Sequence, residues 1–262
     1  MAKPLVVIPN YMSDEGDIDV LGACVRSIRQ TVSDTVDVLI VDDRSPQPWL
    51  VDVFEERYAR YGCELVRKDV NEGFSRTVNV GLERARAQGR DAVLMNADVA
   101  MLTPGWLARC RRAGAGGPPV GLVGALLLYP NGLIQHAGLY FSKLADVFEH
   151  RFRYAPANLP EALERCVCPV TGAFQFIAAE TLARVGVYDP DFRMGWEDVD
   201  YCLRVFQAGL ACVYEPAVVA IHHESLFRGR LDEKVARWQA TSLARLRDKW
   251  AGVPLADLAP SL

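Results

Sequence analysis

The sequence lacks an apolar run long enough to cross a membrane. Its longest apolar stretch, VGLVGALLLY at residues 120–129, is short, whereas a membrane-spanning helix needs about 20 residues. The N-terminal apolar run at residues 5–9 is shorter still and is broken by proline, unlike a signal peptide. We therefore expect a cytosolic chain that does not span a membrane.

The sequence also lacks a cysteine pattern typical of disulfide-stabilised proteins and an excess of positive charge. The seven cysteines are an odd number, and apart from Cys166 and Cys168 they are scattered singly, in spacings that match no common zinc motif. A chain of 262 residues does not need disulfides, so we expect reduced thiols. The formal net charge of −4 gives no sign of a nucleic-acid-binding surface.

The first hundred residues alternate strand-like and helix-like segments. Short apolar runs predict strands, and amphipathic segments between them predict helices. The predicted strands are residues 5–9, 36–43, 63–68 and 92–98, and the predicted helices are residues 19–30, 49–62 and 74–89. This alternation is typical of an α/β protein with a mostly parallel, Rossmann-like sheet flanked by helices.

The second half has a different pattern. The dipeptide Asn131-Gly132 after Pro130 predicts a hairpin. We expect a mobile loop at residues 145–165, strands at residues 170–178 and 212–221, and a basic amphipathic helix at residues 231–250. The AGAGG run at residues 113–117 lacks the third glycine and the helix of a dinucleotide motif, so we interpret it as a loop.

Polar residues stand at the carboxyl ends of three predicted strands, where α/β sheets bind ligands. They are Asn10, Asp42 with Asp43, and Asn96 with Asp98. Asp42 and Asp43 could cap a turn, or accept hydrogen bonds from a nucleobase or a ribose. Asn96 and Asp98 could form an Asx turn. Alternatively, because alternate residues of an extended segment face the same way, both could ligate a divalent cation.

A glycine turn precedes the third predicted helix. Gly73 allows a close backbone approach, and the amides of a helix that begins near Phe74 could bind an anion. Asn71, Arg76 and Asn79 would line the same helix end. The alternative is a simple turn before a solvated helix face.

The stretch RMGWEDVDYCLRVFQAGL predicts a helix whose start is crowded with acids. Asp200 lies one turn before Arg204, a pair that supports a helix. Glu197 and Asp198 stand near the helix start beside Trp196, where they could stabilise the helix dipole or act in catalysis. Further along, His222 could be structural or an additional metal ligand or phosphate contact, and we leave His136 outside the site.

Taken in order, seven segments resemble the family 2 glycosyltransferases. The segments are VVIPNY, VLIVDDRS, NEGFSRTVNVGL, LMNADV, VTGAFQFIAAETLARVGVYDPDF, GWEDVDYCLRVFQAGL and AIHHES. That family comprises inverting enzymes of the GT-A fold, including bacterial rhamnosyl-, galactosyl- and glucosyltransferases of surface polysaccharides. The resemblance runs from Val6 to His223 and implies a GT-A fold with a smaller mixed subregion on the acceptor side.

The resemblance also implies roles for individual residues. Asp198 would be the general base with Glu197 orienting it or the acceptor, and Asp98 and His222 would hold Mg²⁺ or Mn²⁺. Asn96 stands where the family has the first acid of its D-x-D motif and brings no charge, so we expect weaker metal binding. The predicted donor-binding residues are Pro9, Asn10, Asp42, Asp43, Asn71, Gly73, Arg76, Asn79, Asn96, Gly172, Ala173 and Trp196.

The resemblance predicts a chain that moves a sugar from a nucleotide-diphosphate donor to a saccharide or lipid-linked acceptor. The expected organisation is a transferase domain at residues 1–230, with a nucleotide-binding half at 1–100 and an acceptor half at 101–230, and a C-terminal helix and tail at 231–262. That helix could pack on the domain, or rest on an anionic membrane surface.

Two other functions are weighed against this prediction. A sugar-nucleotide pyrophosphorylase would need a basic, glycine-rich N-terminal loop, whereas IPNYMSDEGD is acidic. A non-catalytic glycan- or partner-binding relative is expected to lack an acid at position 98 or 198, and both acids are present.

Overall fold

The computed structural model describes residues 2–32, 35–113, 119–223 and 233–255. Most of the AGAGG run and the last two residues of the HHES motif lie outside these ranges. The strands are β1 (Leu5–Asn10), β2 (Asp37–Asp42), β3 (Glu64–Arg67), β4 (Ala92–Met95), β5 (Val99–Met101), β6 (Val120–Leu128), β7 (Ile134–His136), β8 (Leu139–Ser142), β9 (Val147–His150), β10 (Cys166–Val167), β11 (Phe174–Ile177) and β12 (Ala211–His222). The helices are α1 (Gly16–Thr31), α2 (Pro48–Tyr58), α3 (Phe74–Ala87), α4 (Trp106–Arg112), α5 (Ala179–Val185), α6 (Glu197–Gln207) and α7 (Glu233–Lys249).

One mixed sheet forms the centre of the molecule. Its strand order is β10-β12-β6-β11-β4-β1-β2-β3, with β5 beside β12 and β7 beside β6. Strands β1 to β4 are parallel, β11 runs against both β4 and β6, and β12 is parallel to β6. Strand β1 lies between β2 and β4, so the strand order reverses there, which is where such sheets bind ligands. The carboxyl ends of β1, β2, β4, β6 and β12 therefore share one edge.

Two core layers cover the two faces of the sheet. In β1, Val6 and Ile8 belong to one layer and Leu5 and Val7 to the other, because successive side chains of a strand point to opposite faces. Burying each such side chain contributes about 1.5–3 kcal/mol. Both layers include residues from before and after position 100, so the predicted nucleotide and acceptor halves share one core.

The alternating pattern of the first half is confirmed, and so is the hairpin. Strands β6 and β7 are antiparallel, and the amide of Gly132 (φ +82°) donates to Tyr129 O at 2.9 Å. The loop prediction for residues 145–165 is wrong at β9, which pairs with β8. The strand predicted from Val170 begins only at Phe174, and before it the amides of Val170 and Gly172 donate to Cys202 and Asp198 of α6.

Helix α7 packs on α6 through a third apolar cluster that includes Leu203, Leu246 and Trp250. The Trp250 indole donates to the buried Asp200 at 3.0 Å, and Arg204 Nε donates to the same carboxylate at 2.9 Å. These contacts agree with the packed alternative for the C-terminal helix. Across the described ranges, no helix combines the length and apolar character needed to span a bilayer.

Candidate active site

The tips of β1 and β2 are tied together by Asp42. Its carboxylate accepts a hydrogen bond from Asn10 Nδ2 at 2.8 Å and from the amide of Ser45 at 3.0 Å, and also binds the Ser45 hydroxyl. The Ser45 hydroxyl in turn accepts from the amide of Met12 at 2.8 Å. Asp42 thus has the turn-capping role that its position allowed, and it fixes Asn10 at the sheet edge.

Asp43 connects the tip of β2 to the glycine turn before α3. Its buried carboxylate forms an ion pair with Lys68 at 2.7 Å and accepts from the amides of Glu72 (2.9 Å) and Gly73 (2.8 Å). The side chain of Asn71 donates to its backbone carbonyl at 2.9 Å. Donor recognition by Asp43 stays a prediction, and its contacts add a second role in shaping the turn.

Position 73 requires glycine because of its backbone conformation and because a neighbouring carbonyl lies close to it. It has φ +90°, and a Cβ there would lie 2.5 Å from the carbonyl oxygen of Arg193. That carbonyl accepts the amide of Phe74 at 2.8 Å. The Phe74 amide is therefore not free to bind an anion, because the segment before α6 accepts it, and anion binding by the other amides at the start of α3 stays a prediction.

The other α3 residues of the predicted site differ in their surroundings. Asn79 uses both ends of its amide on the backbone of Tyr188, at 2.8 and 3.0 Å, so it holds α3 to the segment before α6. Arg76 is exposed, 4.0 Å from Asp191. Ser75, which the sequence did not single out, is fully buried.

Asn96 and Asp98 lie on a turn between β4 and β5. The amide of Val99 donates to Asn96 O at 3.1 Å, which closes a tight turn. The expectation that the two side chains share a face through strand alternation is therefore wrong, since the segment is not extended. Asn96 remains part of the site because its backbone N–H donates to Ala173 O at 2.9 Å.

Asp98 and His222 meet at this turn, with the Asp98 carboxylate 3.1 Å from His222 Nε2. His222 Nδ1 lies 2.6 Å from Gln135 Oε1. Since that oxygen can only accept, Nδ1 carries the hydrogen and Nε2 faces Asp98. Gln135, which sequence reasoning missed, thus fixes the imidazole as partners of metal-binding histidines do.

No three His, Cys, Asp or Glu side chains converge as a metal-binding group within the described part of the chain. The Asp98 oxygen and the His222 nitrogen are nevertheless suitable ligands for Mg²⁺ or Mn²⁺. Asn96 Oδ1, on the same turn, is buried without a hydrogen-bond partner. These residues fit a divalent cation, with one carboxylate rather than two.

Asp198 is held at the start of α6 by backbone amides. Its carboxylate accepts from the amide of Gly172 at 2.8 Å and from that of Val199 at 2.8 Å. A Cβ on Gly172 would lie 3.2 Å from Asp198 Cβ, so the glycine permits this approach. The preceding Trp196 has φ +70°, and its side chain packs in the cluster with α7, while Glu197 is buried.

Gly172 and Ala173 join Asp198 to the strand tips. Gly172 donates to Asp198, and the next residue, Ala173, accepts the amide of Asn96. Asp198 is therefore anchored to the sheet edge at β4, two backbone contacts from Asn96. Nearby, burial and then the negative charge of Asp198 raise the pKa of Tyr188, whose neutral hydroxyl donates to Gln175 at 2.7 Å.

Buried oxygens without hydrogen-bond partners collect in this region. Among the described residues they include Asn10 Oδ1, Asn71 Oδ1, Asn96 Oδ1 and Ser75 Oγ. Nearly all buried polar atoms in folded proteins are hydrogen-bonded, so this group of oxygens indicates a polar ligand. Three of the four residues belong to the predicted donor site.

Comparison with known proteins gives a consistent result. Residues 3–241 match the family model described as "Glycosyltransferase like family 2". The O-antigen biosynthesis protein RfbC of Myxococcus xanthus is 28% identical over 216 residues, which cover 80% of this chain and 17% of that protein. The chain spans less than a third of the length of the curated relatives it matches.

Two solved structures have the same fold. GalNAc-T7 with UDP, GalNAc and Mn²⁺ aligns with a TM-score of 0.66 at 16% identity, over 84% of this chain and 43% of that one. Mannosyltransferase PcManGT from Pyrobaculum calidifontis, in complex with GDP-Man and Mn²⁺, aligns with a TM-score of 0.63 at 18% identity, over 95% and 64%. At these identities the likeness establishes the fold, which is the predicted GT-A fold.

Proposed function

The chain belongs to glycosyltransferase family 2, and on that premise we propose that it transfers a sugar from a nucleotide-diphosphate donor to an acceptor hydroxyl with inversion at the anomeric carbon. The observation that supports this most directly is the anchoring of Asp198. Its carboxylate is held by Gly172, and Ala173 links that contact to Asn96 at the strand tips. A proton acceptor and a ligand site thus share one sheet edge.

Asp198 acts as the general base. In an inverting displacement the acceptor hydroxyl attacks the face of the anomeric carbon opposite the leaving nucleotide, and a carboxylate takes the hydroxyl proton as the new bond forms. The two backbone amides that bind Asp198 hold its carboxylate in one orientation. Fixing both reactants can supply on the order of 7–11 kcal/mol of the barrier, so this positioning is as important as basicity.

The donor binds over the tips of β1, β2 and β4. The partnerless oxygens of Asn10, Asn71 and Asn96 accept hydrogen bonds from the N–H groups of a base or the hydroxyls of a ribose or a sugar. Ser75, at the start of α3, adds a hydroxyl that can donate to an anionic oxygen. Asp43 shapes the turn that carries Asn71 and, by the family resemblance, takes part in base recognition.

A divalent cation fits beside Asp98 and His222, with Asn96 as a neutral neighbour. When bound, it would offset negative charge on the leaving diphosphate. The neutral Asn96 leaves Asp98 as the one carboxylate of the motif, and Gln135 keeps His222 Nε2 directed at Asp98. Both solved structures of the same fold described above contain Mn²⁺, which supports this assignment.

The acceptor is a saccharide hydroxyl, free or lipid-linked. Supporting this, the relative RfbC is named as an O-antigen biosynthesis protein. The proposed process is therefore the synthesis of a surface polysaccharide.

Measuring the products separates this function from its alternatives. Purified protein with Mn²⁺ is incubated with a panel of UDP-, GDP- and dTDP-sugars, with and without bacterial oligosaccharide acceptors. We expect one donor to yield nucleoside diphosphate at a rate that rises with acceptor, and a glycoside with inverted anomeric coupling by NMR. Binding without product would favour a non-catalytic relative. In a parallel reaction with added pyrophosphate, formation of nucleoside triphosphate and sugar 1-phosphate would favour a pyrophosphorylase.

A further inference from the structure

A pair of cysteines lies outside the machinery described so far. Cys166 is in the short edge strand β10, and Cys168 follows it by two residues. Strand β10 pairs with β12, where Cys166 stands opposite Tyr214, and the amide of Cys168 donates to Cys212 O at 3.0 Å. The two sulfur atoms are 3.4 Å apart.

The position of the pair allows a covalent bond. Residues two apart in an extended segment point to the same face and are separated by roughly 6.6 Å along the strand, within the Cα range that disulfides accept. The 3.4 Å between the sulfurs shows that the side chains already converge. A small local shift would bring them to bonding distance.

The surroundings make Cys166 the more reactive of the two. Arg151 Nη1 donates to Cys166 Sγ at 2.6 Å. The hydrogen bond from Cys168 and the charge and hydrogen bond of Arg151 together outweigh burial and lower the pKa of the Cys166 thiol to about 7. The same hydrogen bond and burial raise the pKa of Cys168. Cys166 is partly exposed whereas Cys168 is buried.

We propose that Cys166 and Cys168 form a peroxide-sensitive dithiol site, in which Cys166 is the attacking thiolate and Cys168 the resolving thiol. The Cys166 thiolate attacks hydrogen peroxide, breaks its O–O bond and becomes a sulfenic acid, releasing hydroxide. The Cys168 thiol then attacks the sulfenic sulfur, forms the disulfide and releases water. The two sulfurs lose two electrons in total, which reduce one peroxide to one hydroxide and one water.

The site is connected to the segment that holds Asp198. Cys168 is followed by Pro169, whose carbonyl accepts the amide of Leu139 at 2.8 Å, and Gly172 binds Asp198 four residues after Cys168. Sγ of Cys168 also occupies the space beside Gly138, 2.5 Å from where a Cβ would be. Closing the disulfide withdraws Cys168 from this packing and so loosens residues 168–172.

The test uses the full chain and hydrogen peroxide at pH 7, with peptide mass mapping. We expect a loss of two mass units in the peptide with Cys166 and Cys168, restored by dithiothreitol. Cys166→Ser should abolish that change, and Cys168→Ser, or Cys168→Ala if it folds better, should leave a sulfenic acid that dimedone traps. Cys63, whose pKa is raised by burial, is the internal control and should react at least fivefold more slowly.

Hydrogen exchange reports the structural consequence without relying on transferase activity. After oxidation, the backbone amides of the peptide that includes Gly172 should exchange faster in the wild-type chain. In Cys166→Ser their exchange rates should be unchanged. Two free thiols at Cys166 and Cys168 after peroxide, or oxidation of Cys63 at an equal rate, would overturn the site. A disulfide without altered exchange near Gly172 would overturn its connection to the Asp198 segment.

Discussion

At the scale of single residues, the side chains of the candidate site are held in place by hydrogen bonds from neighbouring residues. Asp42 holds Asn10 and Gln135 orients His222, while the Gly172 amide holds Asp198. The sequence predicted Asp98, His222 and Asp198 through their places in the family motifs, and their roles stay predictions. It missed Gln135, since a glutamine on a short strand carries no pattern that links it to a histidine 87 positions later.

Gly172→Ala tests the placement of Asp198. The new Cβ would lie 3.2 Å from Asp198 Cβ and 3.3 Å from the Tyr188 hydroxyl, so the carboxylate must shift by a few tenths of an ångström. Because a misplacement of about 1 Å can cost about a hundredfold in rate, we expect kcat to fall about tenfold, with a smaller change in donor Kd. Steady-state kinetics and calorimetry measure both. An unchanged kcat would show that the approach of Gly172 does not position the base.

Gln135→Met tests the cation site through its supporting residue. The variant keeps the side-chain volume but removes the acceptor for His222 Nδ1, and losing such a partner lowers metal affinity about 10- to 100-fold. Titration of Mn²⁺ in the presence of nucleoside diphosphate measures the change. His223→Ala is the control, because His223 reaches Asp98 through its backbone amide and should leave the affinity unchanged. Equal Mn²⁺ affinities in all three proteins would remove His222 from the site.

Asp43→Ala separates folding from donor binding. It removes the buried partner of Lys68, which keeps an ion pair with the more exposed Glu72 at 3.0 Å, so we expect a loss of about 1–3 kcal/mol of unfolding free energy. Donor affinity should fall as well. Adding Lys68→Met removes the second charge and should recover part of the stability, measured by urea unfolding, but not the donor affinity. Recovery of both would mean that Asp43 acts on the donor only through the fold.

At the scale of elements, the helix-start pattern and the βαβ alternation were readable from the sequence. The helix at residues 197–207 and its Asp200–Arg204 pair occur as predicted. The meeting of Asp98 with His222 was implied by the family resemblance but not by the local pattern, because it depends on the register of β12 against β5, where His222 stands opposite Val99. Long-range register follows from the whole sheet rather than from local periodicity.

Helix α7 docks through charged contacts that predict a pH effect. Burial alone would raise the pKa of Asp189, but hydrogen bonds from Lys249, the Asp191 amide and Arg245 lower it to about 2. A lowered pKa contributes stability above the unfolded-state value near 3.8, and this stability is lost as the pH falls toward 2. Asp189→Asn should therefore destabilise the chain at pH 7, on the order of 1 kcal/mol for a partly screened network.

The destabilisation should shrink as the pH approaches 2, where the wild-type carboxyl is itself protonated. Urea unfolding between pH 2 and pH 7 measures it. Asp191→Asn is a matched control, because Asp191 is more exposed and also pairs with Arg245, and its effect should be smaller. A pH-independent loss in Asp189→Asn would show that α7 docks through packing alone.

At the scale of the whole molecule, the order of motifs predicted more than any motif alone. Asp42 is half of a pair that commonly caps turns, and here it does cap one. In order along one chain, the segments predicted a family and a fold that the comparisons confirm. The boundaries predicted at residues 100 and 230 do not separate independent cores. The core is continuous across position 100, and α7 packs on α6.

Asp198→Asn is the most direct test of the proposed transferase. The amide keeps one oxygen for the Gly172 N–H, loses the acceptor for the Val199 N–H and cannot take a proton, and losing general-base catalysis costs about 10²–10⁴ in rate. We expect nucleoside diphosphate release with acceptor to fall at least a hundredfold, while calorimetric affinity for the nucleoside diphosphate stays within about twofold, because binding does not need the proton acceptor. Wild-type turnover in the folded variant would show that Asp198 is not the base.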